Sequence, residues 1–301
     1  MANELFGLMR RVCLFVAALL AAPAAAQSPA PFLWELRAPQ GAVVHHLLGS
    51  VHLLPPSAHP LPPALEDAYR DAELLVVESD LEALSSADAQ MQLLGAAQSD
   101  APEGLRAEID AETYARLGRQ ARAVGLPPEF CDAFHAWFCA LTLEVTSFLR
   151  AGFSPELGVD QHYYGRARRD GKAVAWLESP EEHLALFMQM PERLGAAFLE
   201  ATLDAYAAQT ATPAALVRAW RSGDVAFMRA RVEDLRAAHP DAHARLLADR
   251  NRAWLKPLDF WLRDTRPALV IVGAAHLIGD DGLVELLSRQ GFALEAVGDG
   301  P

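Results

Sequence analysis

Apolar positions along this chain follow two rhythms, and the change between them separates a sheet-forming frame from a helical middle. Uninterrupted apolar runs bounded by turn residues read as buried strands. They are Val43-Val44-His45-His46-Leu47-Leu48, Leu74-Leu75-Val76-Val77 and Ala268-Leu269-Val270-Ile271-Val272. Phe32-Leu33-Trp34-Glu35-Leu36 alternates instead, and Pro39-Gln40-Gly41 turns it back on the next strand as a hairpin. Residues 172–177 give another strand and 292–297 a closing one. Elsewhere apolar residues fall at helical spacing: a helix opened by Leu61-Pro62-Pro63, one over 111–124, a longer one reaching about 150, one carrying Tyr163, Tyr164 and Ala167, and one over 283–289 capped by Gly291. Nearly everything over 180–264 is helical, with breaks at Gly223-Asp224 and His239-Pro240. The pattern predicts an α/β fold. A central mixed, largely parallel sheet carries flanking helices, and a helical insertion (about 84–150 and 180–264) lies between two strand–Gly-x-x-His–helix–strand arms. Residues 27–301 are expected to form a single domain.

The two arms share a signature that carries chemistry. The first apolar run leads into Gly49-Ser50-Val51-His52, the last into Gly273-Ala274-Ala275-His276. A glycine at a strand's carboxyl end permits a sharp turn, and the histidine after it can face the crevice where open α/β sheets bind ligands. Two further strands end in acids, Glu78 and Glu178. If these strands are parallel neighbours, the groups converge. His52, Glu78 and His276 can then hold a divalent ion (manganese, cobalt or zinc) with positions open to water and substrate. Such an ion lowers the pKa of bound water and polarises a carbonyl. Glu178 can act as general base or fix a histidine tautomer, or it can simply start the helix at Ser179-Pro180. Arg250, in the charged stretch Arg250-Asn251-Arg252, either binds a carboxylate or developing oxyanion or belongs to a solvated helix face. Asp160 and Lys172 read as a structural ion pair. His45 and His46 must face opposite sides of a strand, His135 packs within a helix, and His183, His239 and His243 are expected to be exposed. The sequence has no Gly-x-Ser-x-Gly elbow, no His-Glu-x-x-His helix and no phosphate loop.

Composition narrows the setting. The 301 residues are 52% hydrophobic and 22% charged, with a net charge of -13, which argues against nonspecific nucleic-acid binding. Arg10-Arg11, the apolar stretch 12–20 and Ala24-Ala25-Ala26 before Gln27 have the grammar of a signal peptide over 1–26, cleaved after Ala26. The product is then secreted or periplasmic, with no membrane anchor. Cys13 leaves with the leader, and Cys131 and Cys139 remain. On one continuous helix these two are separated by a rise of about 12 Å, beyond the roughly 7 Å a disulfide allows, so two free buried thiols are expected.

Taken in order, the motifs resemble the TraB/GumN family, which is related to the pheromone-shutdown proteins and the Tiki proteases. They are Gly49-Ser50-Val51-His52, Val77-Glu78-Ser79-Asp80, Gly158-Val159-Asp160, Gly171-Lys172, Leu177-Glu178 with Glu181-Glu182, Trp220 with Gly223-Asp224, Arg250-Asn251, and Gly273-Ala274-Ala275-His276-Leu277 with Gly279 and Gly282. The resemblance implies an α/β fold with His52, Glu78 and His276 at the site, and motif positions for Glu178, Arg250 and Asn251. In Tiki-like relatives such a site is associated with metal-dependent peptide cleavage. In the distantly similar erythromycin esterases, histidine and glutamate serve hydrolysis without an obligatory metal. The expectation is an exported metal-dependent hydrolase of peptide or small-molecule substrates. Its alternatives are a metal-free hydrolase and a periplasmic protein that binds a peptide or signal molecule without turnover.

Overall fold

The computed structural model describes residues 32–39, 41–208 and 212–298, so the leader and its cleavage position lie outside the described residues. The hairpin is present: β1 (Leu33–Arg37) pairs antiparallel with β2 (His45–Ser50), Leu33 opposite Leu48 and Leu36 opposite His45. Prolines open α1 (Pro63–Asp71), where a missing backbone N–H costs nothing, and β3 (Leu74–Val77) follows with all its residues buried. The remaining strands are β4 (Ala173–Trp176), β5 (Ala268–Gly273) and β6 (Ala293–Ala296). They form a six-stranded sheet in the order β4-β3-β5-β2-β1-β6. The β4, β3, β5 and β2 strands run parallel, whereas β1 is antiparallel to both β2 and β6. Sheets covered by helices on both faces need apolar residues at every position, which is why β3 and β5 read as unbroken runs.

Register fixes where chemistry can occur. Val77 lies opposite both Ile271 and Trp176, and Ser50 lies opposite Gly273, so the parallel strands finish level with one another. Gly49 pairs with Val272, so the two Gly-x-x-His motifs are offset by one residue. Neither glycine serves the sharp turn expected of it. Gly49 lies within β2, where a Cβ would come within 3.0 Å of Ala274, Leu277 and Phe32, and Gly273 has a φ of -54°. Close packing is the reason for glycine at position 49, whereas a Cβ at 273 would meet only ordinary contacts, none nearer than 3.4 Å.

Between the arms the chain is helical: α2 (Leu81–Leu84), α3 (Ala87–Ala97), α4 (Ala111–Ala123), α5 (Ala136–Arg150) and α6 (Val159–Asp170) precede β4. After it come α7 (Pro180–Met188), α8 (Glu192–Ala207), α9 (Pro213–Arg221), α10 (Val225–Ala238) and α11 (Pro240–His243), then a π-helical turn over Ala244–Ala248, α12 (Asp249–Leu262) and α13 (Leu283–Arg289). The expected breaks are helix boundaries: Asp224 caps α10 through the Phe227 N–H, and Pro240 starts α11. The sheet buries one large apolar cluster. A second, around Cys139, Leu143, Leu199 and Leu203, holds α5 against α8.

The free thiols expected at Cys131 and Cys139 are not found: the two form a disulfide with a Cα–Cα separation of 5.8 Å. Helix α5 begins only at Ala136, and turns before it bring Cys131 back towards Cys139. Glu108 holds that start, accepting the Ala136 N–H at 3.0 Å and facing the His135 ring. Among the described residues no helix is long and apolar enough to cross a membrane.

Candidate functional site

The level ends of the four parallel strands bring His52, Glu78, Glu178 and His276 into one crevice. His276 sits on a single 3-10 turn, Ala274–Leu277, directly after β5. Room at the centre comes from Gly273. A Cβ there would lie 3.4 Å from both Glu78 Oε1 and His52 Nε2, and 3.6 Å from His276 Cδ2. The two distant imidazoles therefore share a pocket beside an acid.

Arg250, from the first turn of α12, is the hub. Its Nη2 donates to Glu78 Oε2 and to Glu178 Oε1, each at 2.7 Å, and its Nε donates to Glu178 Oε2 at 3.2 Å. Its Nη1 lies 3.0 Å from His276 Nε2. The alternative of a solvated helix face is excluded, since the Arg250 side chain is only 11% exposed. Burial disfavours the charge on Glu78, yet Arg250 foremost, with the neighbouring histidines and the Gly273 N–H at 2.6 Å, holds it well below the usual carboxylate range. Burial opposes the charge on Glu178 too, but hydrogen bonds from His183 and Arg250 hold its pKa low.

The tautomer of His276 follows from its neighbours. The Asn251 amide nitrogen donates to the carbonyls of Asp281 (2.7 Å) and His276 (3.2 Å), so its Oδ1 is the acceptor 2.7 Å from His276 Nδ1. The ring proton therefore sits on Nδ1, and Nε2 accepts from Arg250. Burial above all, with Arg250 beside it, pushes His276 down to about 3 and keeps it neutral. Trp254 packs its ring 4.5 Å from the His276 ring and donates Nε1–H to Glu178 Oε2 at 2.9 Å.

His52 is tuned the other way. Its Nδ1 lies 2.9 Å from Asp160 Oδ2, and that carboxylate is the main reason its pKa is raised to about 9. The ring stands at the mouth of the crevice, with 56% of its side chain exposed. The structural pair expected between Asp160 and Lys172 does not form. Lys172 Nζ donates to the carbonyls of Tyr69, Arg70 and Ala72 instead. Asp160 reaches His52 because Gly158 has no Cβ, which would run into the His52 carbonyl. The Val159 N–H, bonded to the Val51 carbonyl at 3.1 Å, ties the start of α6 to the same loop.

Sequence reasoning missed His183. Expected to be exposed, it is half-buried, with Nδ1 2.7 Å from Glu178 Oε1. Glu178 is free to bind it because Ser179 and Glu182 form the capping box of α7 by themselves. A signal existed in the spacing from Glu178 to His183, but it was hidden by polar surroundings. His243 is also buried and not exposed. A hollow of about 170 Å³ lies beneath His52, lined by Ser50, Glu78, Ser79, His183 and the apolar side chains of Val77 and Ile271. Ser50 Oγ, Ser79 Oγ and Asp160 Oδ1 are buried there without a protein hydrogen-bond partner.

A divalent ion held by His52, Glu78 and His276 does not fit this arrangement. Both nitrogens of His276 are engaged, by Asn251 and by Arg250. Among the described residues, the trios whose ligand atoms lie within 4.8 Å of one another are Glu78, Glu178 and His183, and, in the insertion, Glu108, His135 and Glu192. Arg250 already bridges the two carboxylates of the first, and the second is the capping arrangement of α5.

Compared with known proteins, residues 32–296 match the model of the TraB/PrgY/gumN family. The uncharacterized protein YbaP of Escherichia coli (strain K12) is 27% identical over 249 residues, which is 80% of this chain and 87% of that one. The uncharacterized protein YbaP of Shigella flexneri matches to the same extent. No solved structure matches the chain.

Proposed function

The chain belongs to the TraB/PrgY/gumN family, and from that premise we propose that it is an exported hydrolase of peptide or amide bonds that moves protons between its own side chains. One observation carries this reading. Two imidazoles, each bound at Nδ1 by a carboxylate, line the same hollow: His52 with Asp160 and His183 with Glu178. A histidine tied at Nδ1 has Nε2 as its working nitrogen. His52, with its pKa raised to about 9, carries the proton that a departing amine needs. His183 takes the proton of the attacking water. The water oxygen bonds to the carbonyl carbon, the carbon–nitrogen bond breaks, and the nitrogen leaves with the His52 proton. The His52 imidazolium places positive charge beside the developing oxyanion, while Arg250 compensates the Glu78 and Glu178 carboxylates. Glu78 and Glu178 hold Arg250 in position.

The choice of bond is supported by the resemblance to peptide-cleaving and esterase relatives. Export is supported by the leader's grammar and by the Cys131–Cys139 disulfide, a bond that persists in oxidising compartments. The test is turnover of a panel of peptides and amides by residues 27–301, before and after exhaustive chelation. Turnover should survive chelation, and His52→Ala and His183→Ala should each lower kcat by about 10²–10⁴-fold. Activity abolished by chelation and restored by manganese, cobalt or zinc would select the metallohydrolase built on His52, Glu78 and His276. Stoichiometric binding of a peptide without product would select the binding protein.

A further inference from the structure

We infer that Arg250 is the resident cation of this centre, occupying the place a divalent ion would take between Glu78, Glu178 and His183 and so excluding one. The inference concerns the ion alone and goes beyond the hydrolase reading, so it holds or fails whether or not substrate is turned over.

The geometry is that of a ligand set closed around a guanidinium. Nη2 is 2.7 Å from one oxygen of each carboxylate, and Nη1 is 3.0 Å from His276 Nε2. Carboxylate and imidazole are the donors that transition metals and zinc prefer, and the trio here whose ligand atoms lie within 4.8 Å of one another is Glu78, Glu178 and His183. His183 is the imidazole of that trio, its Nδ1 lying 2.7 Å from Glu178 Oε1. Arg250 is not a mobile arm. Its guanidinium carbon lies 4.5 Å from the Trp254 ring, Nη1 also donates to the Leu246 carbonyl at 3.4 Å, and the side chains of Arg250, Glu78 and Glu178 are 11%, 11% and 9% exposed. Two buried carboxylates need a cation, and a guanidinium and a metal ion cannot both stand within bonding distance of the same oxygens. Removing Arg250 leaves those carboxylates facing each other beside the His183 imidazole. That is a vacant divalent site.

The experiment compares the wild-type chain with Arg250→Ala, Arg250→Lys and the double variant Arg250→Ala/Glu178→Gln. Bound manganese, cobalt and zinc are measured by elemental analysis and titration calorimetry, and folding by circular dichroism with and without each metal. Arg250→Ala should bind one equivalent about 100-fold more tightly than wild type, which corresponds to about 2.8 kcal/mol. Its melting temperature should rise with metal, and the double variant should lose the gain. Arg250→Lys keeps the charge and should behave as wild type. A wild-type chain holding tight metal that is lost in His52→Ala or His276→Ala would overturn the inference. So would a folded Arg250→Ala without the gain, an Arg250→Lys that gains as much, or an Arg250→Ala that stays unfolded with every metal.

Discussion

The Asp160 carboxylate lies 2.9 Å from His52 Nδ1, and this contact decides both the charge of the ring and which nitrogen faces the crevice. The His52 pKa is raised from 6.5 to about 9, so the folded chain binds a proton the unfolded chain releases earlier. The stabilisation from the pair is therefore fully present below pH 6.5 and is lost as pH rises through about 9. Asp160→Asn should return His52 towards 6.5 in an NMR titration. It should also shift the alkaline limb of any activity profile to lower pH. A His52 titration unchanged by the substitution would remove the acid from the proposed mechanism.

Asn251 acts on the other imidazole. Its side chain satisfies the His276 ring proton and the His276 carbonyl in buried surroundings, and the half-buried Asp281 carbonyl. Asn251→Ala leaves these groups without partners and should cost about 1–3 kcal/mol in denaturant unfolding. Asn251→Asp supplies a carboxylate to the ring proton, so the His276 pKa should move upward from about 3. NMR titration of the variant checks the direction.

Two glycines make a paired test of packing against function. Gly158→Ala drives a methyl group into the His52 backbone carbonyl. The start of α6 must move, so the variant should melt well below wild type and lose the raised His52 pKa. Gly273→Ala meets nothing nearer than 3.4 Å, so its melting temperature should be close to wild type. The added methyl nevertheless fills the space between Glu78, His52 and His276, and activity should fall. Equal melting losses in both variants would count against this account of the two positions.

The disulfide belongs to the helical cluster around Leu143 and Leu199 and not to the sheet. Reduction, or Cys139→Ser, should lower stability by about 2–3 kcal/mol for a loop of this length. The His52 titration should stay where it is. Thermal melting with and without reductant, beside the NMR titration, separates the two effects.

The strands were legible because burial on both faces writes an unbroken apolar run, as in Leu74-Leu75-Val76-Val77. Their termini named His52, Glu78, Glu178 and His276, which the structure brings into one crevice. Contacts made across the fold left no local trace. Asp160 meets His52 through the approach of α6 to a distant loop, and His183 meets Glu178 only because Ser179 and Glu182 cap α7 between them. The Cys131–Cys139 bond was misread because the helical spacing around it was extended through a turn. Arg250 was recognised as a candidate, but not its place between the carboxylates. That depends on the path of α12 over the strand ends.

Strand β5 lies between β3 and β2, which do not pair with each other. His52 and Glu78, near neighbours in the chain, are thus held together by a segment made long after both of them. A chain cut short before residue 268 has neither the shared strand nor the backbone N–H that Glu78 accepts. Whatever chemistry the crevice performs must wait until β5 has been made, and proteolytic loss of that arm would dismantle it at a stroke.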